Sequence, residues 1–177
     1  MSITSTQLQQ QYIAYFGRPG DPEGINYWTS DVTDIKTAAD FADKIYAQPE
    51  YQTTTIASKT TSEQVNQLYV NLFNRPADAP GLLYWTTEIE KGSLSLSNLA
   101  YDLIYAAANP LEDNQGQAAA DAANLNAKTQ AAEAYTATVA SNADALMAYK
   151  AGAAYESAAS FIASVSFNAA AQANAVT

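Results

Sequence analysis

The sequence predicts an all-α fold: two tandem three-helix repeats forming a bundle, followed by alanine-rich helices. Three observations predict it. Twelve residues recur at a fixed offset of 57, apolar residues fall at helical spacing within both copies, and alanine dominates from Ala118 onward. The expected divisions are a first repeat at 1–57, a second at 58–110 that forms one compact unit with it, a linker at 111–117 and an alanine-rich segment at 118–177.

The repeat is read first because it fixes the architecture. At an offset of 57, Thr4, Ser5, Gln7, Gln10, Tyr12, Phe16, Arg18, Pro19, Asp21, Gly24, Tyr27 and Trp28 each meet an identical residue, from Thr61 to Trp85. The centre of the match is "RPGDPEGINYW" at Arg18–Trp28 against "RPADAPGLLYW" at Arg75–Trp85.

Each copy reads as three helices. The first opens on a capping box, Thr4-x-x-Gln7 or Thr61-x-x-Gln64, in which threonine and glutamine satisfy each other's backbone amides. Leu8, Tyr12, Tyr15 and Phe16 form its apolar face, interrupted by Gln11; Val65, Leu68, Tyr69, Leu72 and Phe73 form the face of the second copy. Gly17 or Asn74 tolerates the left-handed end of that helix, and Pro19 or Pro76 prevents its continuation. Asp21 or Asp78 is the expected N-cap of the next helix, with Pro22 at its first position. Ile25, Trp28 and Val32 face inward there, as do Leu82, Trp85 and Ile89, and Gly92 ends the second copy. The third helix is expected near Thr37, with a Thr37-x-x-Asp40 box, or near Ser95. Its core is Ala38, Phe41, Ala42 and Ile45, or Leu96, Leu99, Ala100, Leu103 and Ile104, and Pro49 or Pro110 marks its stop.

After Pro110 the composition changes. "LEDNQGQ" reads as a linker, and two or three alanine-rich helices follow, with Ser141 or Asn142 as a cap between two of them. Large anchors are sparse (Leu125, Tyr135, Val139, Leu146, Met147, Tyr149, Tyr155, Phe161, Ile162, Val165), so this segment is expected to lean on the repeats or on a partner. The ending "FNAAAQANAVT" lacks a helix stop and reads as a point of continuation into a longer protein.

Composition removes several function classes. Eighteen acidic residues against eight basic ones give a net charge of −10. The basic residues form no stripe, which argues against nucleic acid as a partner. There is no cysteine and no histidine, so thiolate metal sites, disulfides and His-dependent catalysis are absent. No apolar run is long enough for a transmembrane segment, and "MSITSTQLQQQ" lacks the pattern of an N-terminal signal peptide. The chain is therefore expected to be intracellular, or exported by a route without such a signal.

The duplicated residues resemble a helical family of unassigned function with the signature Y-x-x-x-[FL]-x-R-x-x-D-x-x-G-x-x-Y-W. Tyr12, Phe16, Arg18, Asp21, Gly24, Tyr27 and Trp28 match it, and Tyr69 to Trp85 match it again. "AQPEY" at Ala47–Tyr51 is similar to the family's helix-ending segment. "LNAKTQAAEAYT" at Leu125–Thr136 resembles a stretch that follows the domain in secreted members. The resemblance extends over roughly residues 1–140. It implies a large secreted bacterial protein of the RTX type or a surface-layer protein, exported by a C-terminal signal and located at the cell surface. It implies an N-terminal module that anchors the lattice to outer-membrane lipopolysaccharide or another polysaccharide. Self-assembly into the lattice and calcium-binding repeats would belong to the full-length protein.

Arg18 with Asp21, and Arg75 with Asp78, invite reading as a ligand or catalytic pair. They read better as a helix joint: a capping aspartate has its acceptors occupied, and arginine ties the turn to it or to nearby carbonyls. With Gly24, Trp28, Gly81 and Trp85 they make the expected structural turn and cap set, in which both tryptophans are core and Tyr27 and Tyr84 pack over Gly24 and Gly81. Tyr51, Tyr101, Tyr105, Tyr149 and Tyr155 have no assigned place, and exposed tyrosines suit sugar or protein interfaces. Lys36, Tyr51, Lys59 and Lys91 are the glycan-binding candidates. Asp31, Asp34, Glu112 and Asp113 place oxygen ligands near turns, as calcium requires, but neither group completes an EF-hand loop. Calcium bridging to polysaccharide stays open, and a solvated acidic loop is the simpler reading. No catalytic residue is assigned and no enzyme is expected; a carboxylate pair is the one machinery left, and nothing singles a pair out. The alternative function is a protein–protein scaffold or linker-like helical module without glycan binding.

Overall fold

The computed structural model describes residues 3–30, 34–54, 56–111 and 115–167. The described residues form helices and no strand. In chain order these are α1 (Ser5–Phe16), α2 (Pro22–Thr29), α3 (Ala38–Tyr46), α4 (Pro49–Gln52), α5 (Thr61–Phe73), α6 (Ala79–Glu90), α7 (Leu99–Ala108), α8 (Gln115–Ala140), α9 (Ala143–Lys150) and α10 (Tyr155–Ser164).

The punctuation residues set most of these limits. The Thr4 hydroxyl accepts from the Gln7 amide at 3.2 Å, and Gln7 Oε1 accepts from the Thr4 amide at 3.0 Å. Thr37 and Asp40 form the same box before α3. Gly17 and Asn74 end α1 and α5 in the left-handed region, at φ 64° and 60°. Asp21 and Asp78 cap α2 and α6. Gly92 follows α6 at φ 75°, and Asn142 caps α9.

Four boundaries differ from the sequence expectation. The box before α5 is Thr60 with Glu63, one residue earlier than Thr61 with Gln64. An anionic acceptor at N3 is favoured by the helix dipole, and its cap bonds hold the Glu63 carboxyl below the ordinary range. Gln64 is instead drawn inward, where its Oε1 accepts from the Tyr51 hydroxyl at 3.2 Å and its Nε2 donates to the Lys59 carbonyl at 2.9 Å. α7 begins at Leu99, because the Ser95 hydroxyl accepts from the Asn98 amide and holds 95–98 as a turn. Pro49 opens the short α4 at its first position, where a missing amide is harmless. α8 begins at Gln115, so part of the expected linker is helical; Glu112 and Asp113 lie outside the described residues.

α1, α3, α5 and α7 pack together, and α8 lies across α1, α5 and α7. Leu8, Ile13, Phe41, Leu68, Leu72, Leu99 and Leu103 form one buried cluster with Leu125 and Ala132 of α8 and Ile162 of α10. Full burial of each large aliphatic side chain stabilises the fold by about 1.5–3 kcal/mol. A smaller cluster joins Val139, Tyr149 and Ala158. The inner face of α8 runs Ala118, Asp121, Leu125, Lys128, Ala132, Val139, a three–four spacing that includes two charged residues. Lys128 is 2% exposed, with Nζ donating to the carbonyls of Asn71 and Val70 at the C-terminal end of α5. The negative end of a helix suits a cation, but burial wins and lowers the Lys128 pKa to about 8.

Candidate functional site

Each R-P-x-D-x-x-G-x-x-Y-W stretch builds one joint around a buried tyrosine. In the second, Trp85 Nε1 donates to the Tyr69 hydroxyl at 2.9 Å. A Cβ on Gly81 would stand 3.2 Å from that hydroxyl and 3.1 Å from Asp78 Oδ1. Asp78 Oδ1 accepts from the Gly81 amide at 2.8 Å. The Arg75 guanidinium lies 5.1 Å from the centre of the Tyr69 ring, and its Nη1 donates to the Pro76 carbonyl at 3.1 Å. The first joint repeats this with Tyr12 bonded to Trp28, Asp21 capping Gly24 at 2.6 Å, and Arg18 Nη1 donating to the Pro19 carbonyl at 2.9 Å. The tyrosine hydroxyl and the capping carboxylate meet over the glycine, more tightly over Gly24 than over Gly81. It is Tyr12 and Tyr69 that cover Gly24 and Gly81, not the expected Tyr27 and Tyr84. Those two stand 55% exposed, each edge-on to the tryptophan beside it.

Each arginine bonds the carbonyl that follows it in the turn, and its shortest carboxylate contact comes from another helix. Arg18 reaches Glu50 of α4, and Arg75 pairs bidentately with Asp121 of α8 at 2.8 and 2.6 Å. Asp78 lies 3.6 Å from Arg75. Sequence alone does not pair charges this far apart along the chain. The signal available was the spacing of Asp121 and Lys128 in register with Leu125 and Ala132.

The two joints differ in what covers them. Over the first, the Tyr155 ring lies 3.7 Å from the Arg18 guanidinium, and the Tyr149 hydroxyl donates to the Pro19 carbonyl. Lys150 reaches Glu23 at 2.8 Å. Arg18 is thereby 2% exposed. The second joint opens onto a groove of about 710 Å³. Its lining includes Arg75, Asp78, Tyr84 and Trp85 of the joint, and Tyr105, Asn109 and Leu111 at and beyond the end of α7. Tyr84, Tyr105 and Leu111 are 55%, 58% and 76% exposed. Ala118 and Asp121 of α8 also line it. Burial holds the Tyr69 phenol above its ordinary value, so it serves as a neutral hydrogen-bonding group. Asp102, a carboxyl that burial raises, does not line the groove.

The remaining sequence candidates lie outside this groove. Tyr51 is 1% exposed, edge-on to Tyr15 at 5.3 Å, and offers no face to a glycan. Its ring packs against Tyr15 and Phe16 of α1, and its hydroxyl bonds Gln64 of α5. Lys36 is exposed before α3, where its amide donates to Asp40, and Lys59 is half-buried before α5. Lys91 pairs with Glu88 at 3.2 Å. Trp85 is buried, whereas Trp28 is only half-buried, against Phe41. Asp34 is exposed; Asp31 and Val32, like Glu112 and Asp113, lie outside the described residues. Among the described residues no three potential metal ligands cluster, and no helix is long and apolar enough to cross a membrane.

Fold and joint together define an all-α protein with a tyrosine–arginine helix joint, closed in one copy and open in the other. Residues 42–109 match the family model of a domain of unknown function, DUF4214. The match runs from within α3 to the end of α7 and contains the whole second joint and most of its groove; it carries no activity, ligand or location. No curated protein and no solved structure matches the chain.

Proposed function

We propose that this chain is a non-catalytic binding module, the N-terminal anchoring part of a secreted surface-layer protein that holds its lattice to outer-membrane lipopolysaccharide. α1–α3 and α5–α7 are read as two copies of one three-helix unit, a reading supported by the twelve identities and by matching caps at Asp21 and Asp78. The observation that supports binding is the open groove, lined by two exposed tyrosines and by Arg75, Asp78 and Asn109. Pockets of this volume, with apolar walls and a few polar groups, are the common form of ligand sites. Calcium has a place in this reading as a bridge between surface carboxylates and lipopolysaccharide phosphates. A cell-surface location completes it.

The test is binding of the chain to purified lipopolysaccharide and to intact cells, with and without calcium. Binding that disappears on cells stripped of surface polysaccharide supports the anchor; equal retention on stripped cells overturns it. One observation favours the second reading, a protein scaffold. The first joint is covered by a helix pair of the same chain, so its surface accepts tyrosines presented by helices.

A further inference from the structure

We infer that the groove at Arg75 is a site for a neutral sugar chain, one site per molecule, and that it works without a metal ion. The inference rests on the anchoring reading and narrows it to the uncharged sugars of the surface polysaccharide.

Charge decides the ligand class. Arg75 is the one basic side chain among the groove's lining residues. Its Nε and Nη2 are held by Asp121, its Nη1 by the Pro76 carbonyl, and Asp78 lies 3.6 Å away. One guanidinium between two carboxylates leaves the groove with a negative formal balance, on a chain of net charge −10. A phosphate or carboxylate ligand would meet repulsion without a free cation to receive it. A neutral pyranose needs rings for its C–H faces and fixed polar atoms for its hydroxyls. Tyr84 of α6 and Tyr105 of α7 both line the groove and are more than half exposed. Asp78 and Asn109, both among the lining residues, supply acceptors for the hydroxyls.

The closed joint shows the chemistry this surface accepts. There, the carbonyl equivalent to Pro76 receives the hydroxyl of Tyr149, beside a ring laid on the arginine. It also explains the count of one, because the first copy is already filled. A partner helix fits the second copy less well. Lys150 clamps the covering helix through Glu23, and Pro80 stands at the equivalent position in the groove.

The test titrates the full chain with neutral oligosaccharides from dextran, laminarin and galactomannan, and with oligogalacturonate and whole lipopolysaccharide, across a salt series and with EDTA. The expected result is one-to-one binding of a neutral probe, insensitive to salt and EDTA, with oligogalacturonate unbound. Tyr84→Ala and Tyr105→Ala each weaken it about tenfold. Tyr27→Ala, equally exposed but beside the closed joint, leaves it unchanged. No binding to any neutral probe overturns the inference, as do tighter binding of oligogalacturonate, equal loss in the Tyr27 variant, or a stable protein complex blocked by Tyr84→Ala. Lipopolysaccharide bound equally by wild type and both groove variants removes the groove and leaves the anchor. A neutral probe held at the groove by a chain that ignores lipopolysaccharide removes the anchor and leaves the groove.

Discussion

At the scale of single residues, the two joints are the same device under different constraint. Their shared parts were readable from sequence because each residue acts locally: Asp21 and Asp78 cap three residues ahead, and Gly17 and Asn74 close the preceding helix. The partners of the arginines were not readable, since Glu50 and Asp121 lie 32 and 46 residues away. The cap of α5 slipped by one because Thr60 and Thr61 are adjacent, and Glu63 outcompetes Gln64 at N3. The glycines allow a direct comparison. A Cβ on Gly24 would approach Asp21 Oδ2 to 2.6 Å and the Tyr12 hydroxyl to 2.8 Å, whereas Gly81 has 3.1 and 3.2 Å. Alanine gains up to about 1 kcal/mol of helix propensity at either site. In the closed joint that gain is exceeded by loss of the cap bond and the Trp28–Tyr12 bond, each worth about 1 kcal/mol. Gly24→Ala is therefore expected to destabilise by about 1 kcal/mol and Gly81→Ala to be near neutral, measured by urea unfolding. Equal losses would mean that the two joints are equally tight.

At the scale of elements, α8 is the helix that sequence described least well. Its helical character was legible from alanine content, but its start and its packing face were not. The inward positions are alanines, an aspartate, a lysine and a threonine beside Leu125 and Val139, so no apolar stripe marks them. What substitutes for large side chains is close approach, and small residues permit it. α4 and the delayed start of α7 escaped for a related reason: a proline or serine punctuates a chain without saying on which side the helix lies. The close approach of α8 is testable at Ala132, which is 0% exposed in the main core. Ala132→Leu adds volume where no gap exists and is expected to destabilise by about 1–3 kcal/mol. Ala134→Leu, on the outer side of α8, should change stability by less than about 0.5 kcal/mol. A chain that gains stability from Ala132→Leu would show that α8 sits loosely, and that its alanines are there for helix propensity alone.

At the scale of the whole molecule, buried titratable groups on both sides of the core make stability depend on pH in two opposed ways. Lys128 titrates at about 8 in the folded chain against an ordinary lysine value of 10.5. Between those values the unfolded chain holds a proton that the folded chain has released, so stability rises as pH climbs through that window. The tyrosines act in reverse. Burial raises Tyr12, Tyr15 and Tyr51 far above their ordinary value of 10.0, and Tyr149 to about 12. From about pH 10 the unfolded chain loses phenolic protons that the folded chain keeps, and stability falls. The two trends place the maximum at about pH 9–10, above the usual optimum for proteins. Unfolding midpoints followed by circular dichroism from neutral to strongly alkaline pH would trace both limbs. Lys128→Met should flatten the rising limb and leave the falling one, because it removes the ammonium group and touches no tyrosine. A wild-type profile that declines steadily from pH 8 would contradict the buried lysine. A rising limb that survives in the Met variant would assign it to some other group. Either result would bear on how α8 is seated, since Lys128 is buried only while α8 lies against the end of α5.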